Sequence, residues 1–432
     1  MNSFGTIFRV SLFGESHGVC VGAVIDGCPA GIKVDEGLFA EDLARRSPHP
    51  PPRDCFKSQN SLPQSLTKDI HKEHKTLLNS ILHLYSFVCT SCSLWLKRLL
   101  SQPPPEGGCV KSEQQRHCER SEAIQNVVTG QVHYDHWIAS GYRPRNDGKQ
   151  NLTGMTARRE SDVPEIVSGV YNGFTTGAPI TLLFRNQDIK PSDYTQFSHL
   201  PRPGHADFVA MKKYHGFADL RGGGHFSGRL TVALTAAGVI AKEIIKPVRI
   251  VATLAEAGGN ADIEKNVQEA VQQRDSIGGM IECRITGLQG GVGEPFFDGL
   301  ESVVSHAVFA IPGVKAIAFG SGFEAASMKG SEHNDAIIAE TGATKSNHAG
   351  GINGGISNGN DLYFRVAVKP TPSIGLPQQT FNFATDTMDT LTIEGRHDVC
   401  FALRLPPVVE AAAAIALADL WRRGCGDVRC EM

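Results

Sequence analysis

Two histidines stand in short glycine-bearing runs that suit proton transfer and anion recognition. Gly14-Glu15-Ser16-His17-Gly18 follows a strand-like run from Thr6 to Phe13. A histidine there titrates near neutrality, and glycine neighbours let a ligand come close. Arg202-Pro203-Gly204-His205-Ala206-Asp207 sets a second histidine beside a guanidinium whose planar fork suits a phosphate or carboxylate. Arg396-His397-Asp398, followed by Cys400 and Arg404, offers a carboxylate that stays ionised among cations and can take a proton directly or through a cofactor. Each run alone also fits a blander reading: a loop histidine, a proline-glycine turn, a salt bridge.

Glycine-rich segments supply the second kind of chemistry. Arg221-Gly-Gly-Gly-His-Phe-Ser-Gly-Arg229 precedes a helical pattern from Thr231 to Lys242, and exposed backbone N–H groups before a helix start favour phosphate. The spacing is neither that of a Walker loop nor of a dinucleotide fingerprint. Glu332-His333-Asn334-Asp335, the run Asn347 to Gly359, and Lys369-Pro370-Thr371-Pro372-Ser373 add glycines beside amides, hydroxyls and a lysine. Such segments can line a pocket for a planar, phosphate-bearing ligand, or form turns.

The elements that must position these residues read as mixed. β-Branched runs such as Ala23 to Ile25 alternate with alanine-rich helical stretches such as Ala233 to Lys242 and Val408 to Trp421. With 432 residues and 41% hydrophobic content the chain can fill a core. A net charge of -3 without long runs of one sign gives no nucleic-acid footprint and favours a small-molecule partner. The start lacks the pattern of a secretory signal, and eleven cysteines in so long a chain read as reduced thiols, so a cytoplasmic location is expected.

Residues 49 to 152 differ in texture. They hold seven of the 16 histidines and two of the three tryptophans but only five of the 46 glycines. Proline-rich and polar edges bound them, and an insertion in a surface loop costs little closure entropy. The expected organisation is a catalytic domain of residues 1–48 and 153–432, interrupted by an inserted, partly disordered segment. Within it, Thr76 to Leu96 is apolar but broken by polar residues, so an amphipathic helix is expected and no membrane span. Cys89-x-x-Cys92 has no second ligand pair at zinc-finger spacing. The runs His117 to Ile124 and Trp137 to Asp147 resemble translated intergenic repeat elements.

Outside that segment the ordered motifs resemble the chorismate synthase family across nearly all of residues 1–48 and 153–432. They are Gly-Glu-Ser-His-Gly, Arg-Pro-Gly-His-Ala-Asp, Glu-His-Asn-Asp, Gly-Gly-Ile-Ser-Asn-Gly and Arg-His-Asp. The resemblance implies an α+β sandwich with helices packed between antiparallel sheets, and a homotetramer. It implies a lyase of the shikimate pathway that removes phosphate from 5-enolpyruvylshikimate 3-phosphate to give chorismate, using reduced FMN without net redox change. His17 would assist the departing phosphate, His205 stabilise the reduced flavin, and Asp398 assist proton removal at the flavin. Flavin contacts carried over by position are His225, Phe226, Ser227, Pro312, Gly313, Gly354, Lys369, Pro370, Thr371, Pro372, Ser373 and Arg396. Arg46 matches an arginine resembling a nicotinamide-cofactor or substrate-phosphate ligand, which would admit NADPH as reductant. No metal is implied.

Three departures from the family pattern stand out. His225-Phe226-Ser227 replaces the frequent Arg-Ser-Ser, Pro372 replaces a serine, and the family's continuation after Arg46-Ser47 resumes only near Met155-Thr-Ala-Arg-Arg-Glu160. The last leaves open an inactive or weakly active ligand-binding remnant. A segment that recruits a partner or membrane through residues 76–96 is a third reading.

Overall fold

Alternating apolar positions build two antiparallel sheets. In the first, β1 (Ser3–Phe4), β2 (Arg9–Gly14), β3 (Cys20–Asp26), β4 (Glu165–Ser168) and, after the short hairpin β5 (Val170–Tyr171) and β6 (Phe174–Thr175), β7 (Ile180–Arg185) pair in the order β1-β2-β3-β7-β4. Val21, Ala23 and Ile25 of β3 and Ile180, Leu182 and Phe184 of β7 are all buried, the period-two pattern of a sheet with one face on the core. The second sheet uses β8 (Arg249–Ala257), β9 (Gly279–Thr286), β10 (Val314–Phe319) and, beyond the hairpin β11 (Ile352–Asn353) and β12 (Ile356–Ser357), β13 (Leu362–Val368) in the order β10-β13-β9-β8. A separate hairpin, β14 (Gln378–Asn382) and β15 (Thr387–Leu391), follows. The computed structural model describes residues 2–47, 155–156, 158, 160–189, 191–393 and 397–424. The segment 49–152, with its apolar run and its Cys89 and Cys92, lies outside them.

Among the described residues the α-helices are α1 (Ala40–Arg46), α2 (Asp207–Lys213), α3 (Thr231–Ile244), α4 (Ile263–Gln272), α5 (Leu300–Phe309), α6 (Gly330–His333) and α7 (Pro406–Gly424). α3 is buried without a break from Thr231 to Ala241, and α7 from Pro407 to Leu420. Helices apolar on all sides belong in the interior. α3 lies on β3 and β7, α7 on β8 and β9, and the two pack on each other between the sheets. They approach so closely that a Cβ on Gly238 would stand 2.2 Å from that of Ala411. The architecture is therefore α+β, with helices between antiparallel sheets. Among the described residues no helix is long and apolar enough to cross a membrane.

Buried charges fix the helices. Glu410 of α7 accepts from Arg45 of α1 at 2.6 and 2.9 Å, from Lys242 of α3 at 2.8 Å and from the Ala252 amide at 2.9 Å. Asp419, fully buried near the end of α7, accepts from the amides of Thr6, Ile7 and Phe8 at 2.7–3.0 Å and holds the entry to β2. Buried carboxylates persist only where such partners satisfy them.

Candidate functional site

The turn between β2 and β3 carries His17, and the glycine loop before α3 packs against it. Gly222, Gly223 and Gly224 have φ of 59°, 82° and 52°, a left-handed run that side chains resist. A Cβ on Gly222 would stand 2.2 Å from Nδ1 of His17, and one on Gly223 would stand 3.4 Å from Nε2 of His205. Consecutive glycines therefore seat the two histidine rings. Reciprocal bonds join the loops: the Ser16 amide donates to the Gly224 carbonyl at 3.1 Å, and His225 Nδ1 donates to the Gly14 carbonyl at 2.8 Å. Arg158 grips Ser16 through its hydroxyl at 2.7 Å and its carbonyl at 2.9 Å.

His17 is 5% exposed and meets the Tyr194 ring edge-on at 4.8 Å. Its Nδ1 is buried without a hydrogen-bond partner. An N–H there would be unsatisfied at about 1–3 kcal/mol, so the bonding pattern assigns the proton to Nε2. Burial first, then the charges of Arg158 and Arg221, holds the His17 pKa below its ordinary value. With the proton on Nε2, the neutral ring would donate a hydrogen bond from that atom.

His205 is oriented by a carboxylate. Its Nδ1 donates to Asp207 Oδ1 at 2.6 Å, while Arg202 clasps the same carboxylate at 2.7 and 2.8 Å. Burial lowers the His205 pKa despite Asp207, and Arg202 and His205 hold the Asp207 carboxyl well below the usual range against its own burial. The sequence suggested an arginine fork aimed at an external anion; here the fork closes on Asp207, and beyond it Arg202 stands 3.1 Å from His205 Nδ1, lies over the Phe197 ring at 4.4 Å and donates to Ser373 at 3.2 Å. The Ser373 bond ties the Lys369–Ser373 segment to the His205 turn, as does Lys369 Nζ on the Gly204 carbonyl at 2.5 Å.

Asp398 meets the two chain ends on either side of the undescribed stretch. It accepts from the Thr156 amide at 2.9 Å and from Arg404 Nη1 at 2.9 and 3.2 Å, while Arg404 Nε donates to the Arg46 carbonyl at 3.2 Å. Arg46 is 1% exposed, and each guanidinium nitrogen has a protein acceptor: Thr231 Oγ1 at 2.9 Å, Asp162 at 3.1 Å and the Gly228 carbonyl at 3.2 Å. Burial lowers its pKa and Asp162 opposes this. Asp162 also takes Arg229 in a short ion pair.

These groups border one cavity of about 710 Å³, within the ~300–1,000 Å³ usual for ligand clefts. His17, His205, Asp398, Arg46 and the cations Arg158, Arg229, Lys369 and Arg404 line it, as do His225, Phe226, Ser227, Pro312, Gly313 and Pro370 to Ser373. Phe4, Leu12, Phe309 and Ile311 add apolar lining. Gly354 is not brought there; it turns the β11–β12 hairpin at φ 63°. The Glu332–Asp335 run also stays away, with Asp335 accepting from Ser346, His348 and Ala349. Arg396 lies outside the described residues. Sequence reasoning passed over Asp162, Tyr194 and Asn186. Arg158 and Glu160 did carry a signal, as part of the Met155 to Glu160 run where the family pattern resumes.

A cavity flanked by two oriented histidines and a carboxylate, and lined by both cations and apolar side chains, suits an anionic substrate beside a planar cofactor. The family model for chorismate synthase matches residues 8–59 and 124–421. Residues 60–123, left unmatched, lie inside the stretch whose texture sets it apart. A chorismate synthase of Chitinophaga pinensis is 43% identical over 97% of this chain and 96% of its own length. One of Dehalococcoides mccartyi is 36% identical over 97% of this chain and 96% of its own length. A crystal structure of chorismate synthase shares the fold with a TM-score of 0.58 at 20% identity, covering 98% of this chain and 94% of that one. The chain belongs to the chorismate synthase family.

Proposed function

We propose that the chain is an active lyase that performs a 1,4-elimination on 5-enolpyruvylshikimate 3-phosphate, giving chorismate and phosphate. The C3–O bond breaks, the C6 hydrogen leaves, and no net oxidation occurs. The observation that carries this reading is the Arg404–Asp398 pair, which bonds to Arg46 on one side of the interruption and Thr156 on the other. Arg46, Thr156, Asp398 and Arg404 all border the cavity, which favours an active enzyme over a disabled remnant.

His17 donates a hydrogen bond from Nε2 to the departing phosphate, whose charge is met by the surrounding guanidinium groups. Asp398, bonded to Arg404, accepts the proton that leaves C6. His205, its Nδ1 fixed on Asp207, turns its other nitrogen toward the cofactor.

The residues present fit a reduced FMN. Thr371 Oγ1 is a buried hydroxyl without a partner on the cavity wall, as a ligand-binding donor would be. Lys369 to Ser373, with His225 to Ser227, Pro312 and Gly313, would hold the cofactor. When bound, a reduced flavin supplies electron density to the carbon losing phosphate and recovers it. Arg46 supports the wall through its protein partners, so the reading needs no direct nicotinamide contact.

The assembly is read as a homotetramer in the cytoplasm. Phe296, Phe297 and Phe323 are 90%, 94% and 82% exposed, apolar surface that further copies would cover. Light scattering on the purified chain tests this, and a monomer would sink it. For the activity, phosphate release is measured with and without reduced FMN on the intact chain and on one lacking residues 49–152. Release by the intact chain that depends on reduced FMN is expected. Substrate binding without release in both forms would overturn the lyase reading.

A further inference from the structure

Asn186 follows β7 directly, and its side-chain amide, side-chain oxygen and backbone N–H all have hydrogen-bond partners. Its side-chain amide donates to the carbonyls of Glu15 and Gly18, each at 2.9 Å. Its backbone N–H donates to the Val19 carbonyl at 3.1 Å. Its side-chain oxygen accepts from Arg229 Nε at 3.0 Å. The two carbonyls that it bridges flank Ser16 and His17, so one planar amide spans the turn that carries the histidine.

No other side chain of similar size fills this place. An aspartate would set lone pairs against two carbonyl oxygens, and an alanine would leave the Glu15 carbonyl with the Gly18 amide alone and take the partner from the Gly18 carbonyl and Arg229 Nε. A glutamine would carry the amide one methylene further along. Through Arg229 the amide connects to Asp162 and onward to Arg46. The His17 turn is thereby held in register with the end of α1.

Asn186 does not border the cavity, so it acts through the turn. We propose that Asn186 is a positioning residue for His17, fixing the turn so that the imidazole stands against Gly222 with Nε2 left for the substrate's phosphate. The proposal rests on the reading of His17 as the phosphate's partner.

The test uses the full chain with Asn186→Asp and Asn186→Ala, thermal melting confirming that each is folded. The His17 imidazole is titrated by NMR without ligand, its signal assigned by its loss in His17→Gln, and kcat and KM are measured with reduced FMN. The expected result is a shift of the His17 titration in both variants, upward in Asn186→Asp, where a carboxylate is added. With it comes a fall in kcat of about tenfold or more and a smaller change in KM. Wild-type titration together with wild-type kcat in both variants would overturn the proposal. In wild type the two side-chain amide protons of Asn186 should exchange slowly with water. Fast exchange overturns the clamp even if neither variant folds. Shifted titration in a chain that releases no phosphate at all would instead defeat the lyase reading and leave the clamp standing.

Discussion

Gly222 and His17 fit together with no room for a single methyl group: the missing Cβ would lie 2.2 Å from Nδ1 and 2.3 Å from Cε1 of the imidazole. Backbone conformation and ring placement are set by one contact. Gly222→Ala must displace the ring or the loop, and its φ of 59° adds strain. Displacement of a catalytic group by about 1 Å costs on the order of a hundredfold in rate. The expected outcome is a kcat loss of that order with a small change in melting temperature. Gly216→Ala, where nothing stands within 4 Å of the added carbon at φ 85°, is the control for strain alone. Equal losses in the two variants would refute the steric argument.

The two histidines predict how stability follows pH. Both have folded pKa values below the ordinary 6.5. Between those values and 6.5 the unfolded chain binds more protons, so stability rises with pH through that window and is complete above it. Urea midpoints at pH 7.5, 6 and 5 should fall on acidification. His17→Gln and His205→Gln should each flatten part of that fall, and an unchanged slope in the double variant would show that neither group contributes.

Asp162 separates two buried guanidinium groups. It accepts from Arg46 at 3.1 Å and from Arg229, all three side chains being at most 5% exposed. Asp162→Ala would leave two buried cations uncompensated, a loss of roughly 3–5 kcal/mol. Chemical denaturation reads this directly. Asp162→Asn should lie between, since the amide oxygen still accepts one bond.

Much of this site was legible in the sequence, and the reason for the remainder is physical. His17, His205 and Asp398 announced themselves as reactive types beside glycines or arginines. The long helices of alanine and branched residues were also plain, with Thr231 to Lys242 found as Thr231–Ile244 and Val408 to Trp421 as Pro406–Gly424. Asp162 and Asn186 had no such signal. Each is an ordinary polar residue whose role comes from partners far away in the chain: Arg46, 116 positions off, and the carbonyl of Glu15, 171 positions off. Arg202 misled in the opposite sense. Its spacing to His205 was visible, but an internal carboxylate two residues further on claimed the fork.

Thr371 offers a test that separates ligand recognition from folding. Its hydroxyl is buried without a partner, so Thr371→Val removes an unsatisfied group at nearly constant shape. Folding stability without ligand should stay level or rise, whereas FMN affinity should fall by about fivefold to tenfold. Titration calorimetry and a thermal melt on one sample distinguish these. Loss of stability with intact affinity would mean that the hydroxyl serves the protein alone.

The junction at Arg404 makes the covalent path between Ser47 and Met155 dispensable in principle. Noncovalent bonds already hold Arg46 and Thr156 to one arginine–aspartate pair, β2 and β3 are stitched into the sheet by β7, and α1 is anchored on α7. Closure entropy grows only by about 0.6 kcal/mol for each doubling of a connecting loop. The same geometry predicts that a peptide ending at Ser47 and a second chain beginning at Met155 associate when coexpressed, with copurification as the readout.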